Sequence, residues 1–251
     1  MKRRLFLEAA APIALAHGLA GCAAAPPAAA WRAGQQEAAL DVDVHWQARL
    51  RFLLFLPRGY AGSTHDWPVL FFLHGSGERG TEMARVKMAG PPRLADADPD
   101  FPFIVVSPQL DDEDVWNPHN LHALLGSLRT RLRIDADRVC CTGLSLGGGG
   151  TWAWATEYPE DLAAIVSVSG YGEDDHACRA RPVAARAYHG ELDDVVPLIE
   201  EKRMVDALRE CGGRAELFVL PGVNHGAWDT AYADPTLVPW LLAQRRQGAR
   251  R

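Results

Sequence analysis

A serine flanked by glycines constrains the fold of this chain more than any other feature of its sequence. The motif is Gly143-Leu144-Ser145-Leu146-Gly147; an apolar run ends just before it at Thr142, and a segment of helix length, Gly148 to Tyr158, follows it. A strand that turns sharply into a helix strains the backbone of the central residue, and small residues two positions away on either side avoid clashes. The motif therefore predicts a strand, a tight turn that exposes the Ser145 hydroxyl, and a helix.

Apolar runs and helix-length segments alternate along most of the chain. Eight runs rich in apolar, β-branched or aromatic residues are candidate strands: Leu40 to Trp46, Leu50 to Leu56, Val69 to Leu73, Phe103 to Ser107, Arg138 to Thr142, Ala164 to Val168, Val183 to His189 and Ala215 to Leu220. Helices are predicted at Leu121 to Arg133, Gly148 to Tyr158, Leu198 to Cys211 and Leu237 to Arg246, and a broken helix and loop at Thr81 to Pro99. This alternation predicts an α/β fold in a single domain, with a mainly parallel eight-stranded sheet and helices on both faces. Ligands of such sheets bind beyond the carboxyl ends of the strands.

Length and charge agree with one domain and argue against some partners. The chain has 251 residues, of which 48% are hydrophobic, enough for one sizeable core. Its net charge is -6 and it has no long block of Lys and Arg. A nucleic-acid partner is not expected, because phosphate binding needs a basic surface. A small molecule is the expected ligand, and the composition leaves the oligomeric state open.

The first 34 residues have the character of an export signal and a tether. Basic residues, including a twin-arginine pair, precede an apolar run that is too short for a permanent membrane helix. Leu19-Ala20-Gly21-Cys22 resembles a lipoprotein cleavage box, which would place a lipid on Cys22. We therefore expect a signal at residues 1–22, an Ala/Pro-rich tether at 23–34 and the folded domain at 35–251, in a protein anchored in the bacterial cell envelope. The alternative is an ordinary secretory signal and a soluble periplasmic or secreted protein.

Two later loops offer the partners that a nucleophilic serine needs. A serine hydroxyl is a weak nucleophile until a base takes its proton, and an acid must orient that base. After a strand-turn-helix serine, the acid and then the histidine follow on loops after later strands. Asp193 and His225 occupy such loops and are predicted as acid and base. Glu191 and Asp194 crowd the same loop as Asp193, but Asp194 can instead cap the helix that follows.

A loop after an early strand offers amides for an oxyanion. Acyl transfer creates negative charge on a carbonyl oxygen, which preorganised N–H groups stabilise. Leu146, the residue after the serine, is predicted to supply one, and Ser76 or Gly77 in the loop of residues 74–80 to supply another. The loop is glycine-rich, but it lacks the lysine and the spacing of a phosphate-binding loop.

Cysteine and histidine spacing does not indicate a metal site. Four cysteines remain after the predicted signal, an even number in an oxidising compartment, and their pairing is left open: Cys140, Cys141, Cys178 and Cys211. Cys140 and Cys141 lie in a predicted strand and are expected in the core. His119 and His122 could share a helix face, but without a third ligand they are more typical of surface residues.

Taken together, the motifs resemble the bacterial dienelactone-hydrolase-like and phospholipase/carboxylesterase-type group of α/β-hydrolases, which is related to feruloyl and polyhydroxybutyrate esterases. The similar stretches cover nearly the whole domain: Phe72 to Gly80, Gly90-Pro91-Pro92, Phe101 to Pro108, Gly143 to Gly148, His189 to Pro197, Asn224 to Trp228 and Ala231-Tyr232. The resemblance implies a single α/β-hydrolase domain without a cofactor. It also implies a triad of Ser145, Asp193 and His225 that acts on esters of short or aromatic acyl groups.

Two departures from the group bear on the substrate. True dienelactone hydrolases use a cysteine where this chain has Ser145, which argues against a dienelactone substrate. The stretch Ser169-Gly170-Tyr171-Gly172 is less glycine-rich than the group's loop. Trp116 and Trp228 are predicted either to line the substrate pocket or to pack on the sheet, Trp228 beside His225.

The expected function is hydrolysis of small carboxylic esters through a covalent acyl-enzyme. A peptidase or an acyltransferase could use the same triad, because fold and triad do not decide the acceptor. A noncatalytic lipoprotein that binds a ligand in the pocket is the alternative from another class. The intact set of Ser145, Asp193 and His225 argues against it.

Overall fold

The computed structural model describes residues 47–248. Several sequence-based expectations fall outside this range: the signal with Cys22, the tether at 23–34 and the candidate strand from Leu40 to Trp46. The described residues include no helix long and apolar enough to cross a membrane. Within the same range, His, Cys, Asp and Glu form no group that could hold a metal ion.

A seven-stranded sheet forms the centre of the domain. Its strands are β1 Arg51–Phe55, β2 Trp67–Leu73, β3 Ile104–Gln109, β4 Ile134–Leu144, β5 Ala164–Val168, β6 Ala184–Gly190 and β7 Ala215–Leu220. They lie in the order β1-β3-β2-β4-β5-β6-β7, and every neighbouring pair is parallel except β1 with β3. The α/β fold with a mainly parallel sheet is confirmed. Residues 47–248 form seven strands of the eight predicted, and the first candidate strand lies outside this range.

One strand begins well before its predicted start. β4 starts at Ile134, whereas the apolar pattern predicts Arg138. The additional residues alternate between apolar and acidic, and of Ile134 to Asp137 only Ile134 is buried, so they lack the apolar run by which the other strands are recognised. Pairing of Trp67 with Ile134 nevertheless extends the sheet through this segment.

In the described part of the chain, six α-helices surround the sheet. They are α1 Gly90–Ala97, α2 Pro118–Arg129, α3 Leu146–Glu157, α4 Leu198–Glu210, α5 Trp228–Ala233 and α6 Leu237–Ala243. Short 3-10 turns lie at Ser76–Glu78, Met83–Met88, Pro159–Asp161 and Asp174–Ala180. The turn at Met83–Met88 followed by α1 confirms the broken helix predicted before Pro99, and α5 is a helix that the sequence pattern does not predict.

Alternate residues of the strands face two separate cores. On β2, Phe71 packs in the core that includes α2, α3 and α4, whereas Phe72 packs in the core that includes α1, α5 and α6. Helices therefore cover both faces of the sheet, as predicted. Trp152 and Trp154 on α3 are fully buried, so this helix lies inside the domain rather than on its surface.

The four cysteines of the domain divide into one disulfide and two core residues. Cys178 and Cys211 form a disulfide with their Cα atoms 5.4 Å apart. It joins the 3-10 turn after β5 to the end of α4. Cys140 and Cys141 are free and fully buried, one in each core, as expected for successive residues of a strand.

Candidate active site

Ser145 lies at the tight turn between β4 and α3. Its backbone has φ 52° and ψ -117°, a left-handed conformation that is strained for a residue with a side chain. A Cβ on Gly147 would lie 1.9 Å from the Leu73 carbonyl oxygen, and one on Gly143 would lie 2.2 Å from the Gly147 carbonyl oxygen. Both flanking glycines are therefore required by close packing of the turn against β2 and against itself.

A continuous series of hydrogen bonds joins Ser145, His225 and Asp193. Ser145 Oγ and His225 Nε2 are 2.9 Å apart, and His225 Nδ1 is 2.9 Å and 3.0 Å from the two carboxylate oxygens of Asp193. His225 follows β7 and Asp193 follows β6, so the carboxyl ends of the strands bring them to Ser145. The Asp193 side chain is fully buried, whereas the His225 side chain is 18% exposed. This arrangement allows His225 to exchange a proton with the serine while the carboxylate holds its other nitrogen.

The loop around Asp193 keeps this carboxylate ionised. The backbone N–H groups of Val195 and Val196 donate to Asp193 Oδ1 at 3.0 Å and 2.9 Å. Burial alone would raise the pKa of the Asp193 carboxyl, but the hydrogen bonds from His225 and from these two amides outweigh it and hold the pKa below its usual value.

The neighbouring acidic residues have other surroundings. The Glu191 carboxylate accepts a hydrogen bond from the Gly222 N–H at 3.0 Å. Asp194 is exposed, and none of the described side chains caps α4, which begins after Pro197. The prediction that Asp194 caps this helix is wrong, because the N-cap position is held by Pro197, three residues further along the chain.

Contacts from β5, β6 and α5 hold the His225 segment. The Ser169 hydroxyl, after β5, donates to the His225 carbonyl oxygen at 2.9 Å. A Cβ on Gly190, at the end of β6, would lie 2.1 Å from the Asn224 carbonyl oxygen. Trp228 meets the His225 ring edge-on with ring centroids 5.4 Å apart. The Ser169 contact also explains why this loop carries a serine although its φ is 48°.

A buried histidine, His74, anchors the loop that was predicted to supply an oxyanion amide. The Leu110 N–H donates to His74 Nε2 at 3.0 Å, and His74 Nδ1–H donates to the Gly75 carbonyl oxygen at 2.6 Å. Burial is the main cause that lowers the pKa of His74 to about 4, so the ring is neutral at pH 7. The turn Ser76–Glu78 follows directly, and Leu146 begins α3 beside it.

The two predicted pocket tryptophans have different contacts. Trp116 is buried, donates from Nε1 to the His74 carbonyl oxygen at 3.1 Å, and packs against Gly150 on α3. These contacts agree with the prediction that Trp116 packs in the domain rather than lining the substrate pocket. Trp228 packs beside His225 and also borders a cavity of about 250 Å³ with Arg93 and Tyr232.

A larger cavity, of about 480 Å³, runs along α3. Trp152, Tyr171 and Met204 contribute to its walls, together with Gly149. The Gly149 N–H donates to the Ser145 carbonyl oxygen at 3.1 Å, so this cavity begins one helical turn from the serine.

Sequence reasoning missed three buried ionisable residues around the site: His74, His189 and Glu201. His74 directly follows β2 and His189 is the last residue but one of β6, and each precedes a glycine, so the repeated His-Gly pair is a signal that could have found them. Glu201 lies in the first turn of α4 and is fully buried. A buried carboxylate at a helix start has no comparable signature in the sequence.

The fold and its strand-turn-helix serine are those of the α/β-hydrolases. A family model described as "Phospholipase/Carboxylesterase" matches residues 101–234, and the chain belongs to this family. The chain is similar to a thermostable esterase of known structure, at 29% identity and a TM-score of 0.68, over 78% of this chain and 60% of that one. It shares its fold with a ferulic acid esterase, at 18% identity and a TM-score of 0.59, over 76% of this chain and 90% of that one.

A curated relative is an uncharacterized secreted protein of Arthroderma benhamiae. It is 26% identical over 198 residues, which cover 63% of this chain. The chain spans 21% of the length of this relative and 60% of the thermostable esterase.

Replacing Gly147 by alanine is expected to destabilise the domain by about 3 kcal/mol or more, because the new Cβ would overlap the Leu73 carbonyl oxygen. Urea unfolding measures the difference. Gly126→Ala is the matched control, since a Cβ there, on an exposed face of α2, would meet nothing within 4 Å. The control is expected to gain about 0.5 to 1 kcal/mol from better helix propensity. Equal stability of the two variants would contradict close packing at the turn.

Proposed function

We propose that this protein is a serine carboxylesterase that hydrolyses small carboxylic esters through a covalent acyl-enzyme. The observation that carries the proposal is the hydrogen-bonded series from Ser145 through His225 to Asp193, with distances of 2.9 to 3.0 Å. It lies at the carboxyl edge of the sheet in a chain of the phospholipase/carboxylesterase family. Residues 35–251 form the enzyme domain in this proposal.

Each residue has a defined step in the proposed reaction. Ser145 Oγ attacks the ester carbonyl carbon while His225 Nε2 accepts its proton, and Asp193 stabilises the resulting imidazolium. The amides of Leu146 and of Ser76 or Gly77 hold the negative oxygen of the tetrahedral intermediate. The intermediate collapses to an acyl-enzyme as His225 protonates the leaving alcohol. Water, activated by His225, then releases the acid and restores the serine.

The surroundings of the site support a small and partly apolar ester. The cavity along α3 offers Trp152, Tyr171 and Met204 as apolar walls one helical turn from the serine. A volume of about 480 Å³ suits a short acyl chain or one aromatic ring. The same cavity is also lined by Glu157 and Glu173, and the chain has a net charge of -6, so a polyanion would not be attracted to it.

Ser145→Ala is expected to abolish ester turnover while the protein stays folded, with a loss on the order of a millionfold if the triad acts as a unit. Turnover is measured with p-nitrophenyl esters from acetate to decanoate and with methyl ferulate, and Ser127→Ala on the exposed face of α2 serves as the matched control. A fluorophosphonate probe should label the wild type at Ser145. Near-normal activity of folded Ser145→Ala would refute the mechanism, and labelling without ester turnover would favour a peptidase or an acyltransferase.

Asp193→Asn is expected to keep the fold but to lower kcat by about ten-thousandfold, because an amide supports neither the required tautomer of His225 nor its imidazolium. Asp194→Asn is the matched neighbour. Its side chain is exposed, so it should change stability by less than about 0.5 kcal/mol and leave kcat unchanged. Ester kinetics and thermal melting of both variants test the assignment. A large loss in Asp194→Asn with an active Asp193→Asn would reverse it.

We also propose that the protein is exported and anchored by a lipid on Cys22. The support is the cleavage-box motif and the similarity to a secreted protein. Expressed with its own leader in a bacterium, the protein should fractionate with membranes, and Cys22→Ser should release it into the aqueous fraction. Recovery of the unmutated protein entirely in the aqueous periplasmic or secreted fraction would refute the anchor and leave the esterase proposal intact.

A further inference from the structure

His189 and Glu201 form a buried pair of ionisable side chains next to Asp193. His189 lies near the end of β6, and Glu201 lies in the first turn of α4. Both side chains are fully buried, and the proposed reaction gives neither of them a step. Burial of two ionisable groups is costly unless each is paired, so their surroundings indicate what they do.

The polar groups facing the His189 ring are acceptors. Nε2 lies 2.8 Å from the Val196 carbonyl oxygen and 3.2 Å from Asp193 Oδ2, and Nδ1 lies 3.5 Å from Glu201 Oε2. A ring protonated on both nitrogens fits these neighbours. Burial favours the neutral ring, but Glu201, the Val196 carbonyl and Asp193 outweigh it and raise the pKa of His189 above its usual value.

Glu201 joins three elements through donors to its carboxylate. Trp152 Nε1 on α3 donates at 2.7 Å, the Ser167 hydroxyl on β5 at 2.9 Å, and the Gly170 N–H after β5 at 2.7 Å. These donors satisfy a buried carboxylate and fix its position relative to the sheet. His189 is thus held between a fixed carboxylate on α4 and the loop that carries Asp193.

We propose that His189 and Glu201 are positioning residues for Asp193, which fix the carboxylate that orients His225 and place a buried positive charge beside it. The inference rests on the proposed function, because it assigns Asp193 its role there. The two carboxylate oxygens of Asp193 have different partners. Oδ1 accepts from two backbone amides as well as from His225, whereas Oδ2 lies between His225 and His189.

The positive charge has a predictable effect on His225. Among the described residues, the charged groups that act on His189 are Glu201 from α4 and Asp193 from the loop after β6. The nearby hydroxyl of β5, on Ser167, is uncharged and donates to Glu201. A cation on His189 disfavours a second cation on His225. The proposal therefore gives His189 an electrostatic effect on the general base as well as a positional effect on Asp193.

The test compares the pH dependence of kcat/KM in the wild type and in His189→Gln, which can still donate to Val196 but carries no charge. The acid limb is expected to move to higher pH by about one unit, equivalent to about tenfold lower kcat/KM on the acid side. KM should change less than kcat. Glu201→Gln removes the partner that keeps His189 charged, so it should shift the limb in the same direction by a smaller amount.

Asp161→Asn is the matched control for loss of a buried carboxylate. Asp161 is also almost fully buried and accepts from Trp154 Nε1 at 3.1 Å and from His122 Nδ1 at 2.8 Å, away from the site. It should lower the melting temperature without moving the acid limb. If His189 had a purely structural role, His189→Gln would likewise lower the melting temperature and leave the acid limb where it is in the wild type.

A second readout keeps the inference testable without a substrate. Titration of the His225 ring by NMR, assigned by its loss in His225→Gln, should show a higher midpoint in His189→Gln than in the wild type. An unchanged midpoint in a folded variant overturns the inference even if the wild type is an active esterase. If the midpoint shifts but the protein hydrolyses none of the test esters, the roles of His189 and Glu201 are supported. Only the proposed esterase function is then refuted.

Discussion

Close approach between the turn after β4 and the end of β2 is the contact on which the rest of the site depends. The Gly147 backbone packs directly on the Leu73 carbonyl, at a distance that leaves no room for a side chain. This contact fixes the start of α3, holds Ser145 in a left-handed conformation and brings the loop after His74 beside the serine. The strain at Ser145 is balanced by the buried helix that follows, which packs against β4 and β5.

Polar anchoring at the carboxyl edge of the sheet extends well beyond the three hydrogen-bonded residues. His74 holds the loop after β2, and Ser169 holds the loop after β7. Glu201 holds the end of β5 and faces His189 at the end of β6. Each loop that borders the serine is thus tied by a buried side chain to a neighbouring strand or helix. Such ties give loop residues a fixed geometry that backbone hydrogen bonds alone do not provide.

The elements that could be predicted from sequence are those with a local pattern. The strands appear as apolar runs, and the glycines around Ser145 mark the turn. The proximity of Asp193 and His225 to the serine follows from chain order in parallel sheets. The early start of β4 and the burial of Glu201 could not be predicted in this way, since both depend on partners distant in sequence. Asp194 shows the converse, because its local pattern favours a cap but the helix begins only after Pro197.

The disulfide closes a covalent loop around the segment that carries Asp193. Cys178 and Cys211 are 33 residues apart and enclose β6, the Asp193 loop and α4 in one ring. Closing a ring of this size restricts the unfolded chain and contributes about 3 to 4 kcal/mol to the stability of the folded state. The parts of the site that lie outside the ring, Ser145 and His225 among them, are held by packing and hydrogen bonds, without a covalent link. Formation of this disulfide therefore stabilises the segment that carries Asp193 and not the segment that carries Ser145. The acid side of the site thus depends on the redox state of the compartment in which the chain folds.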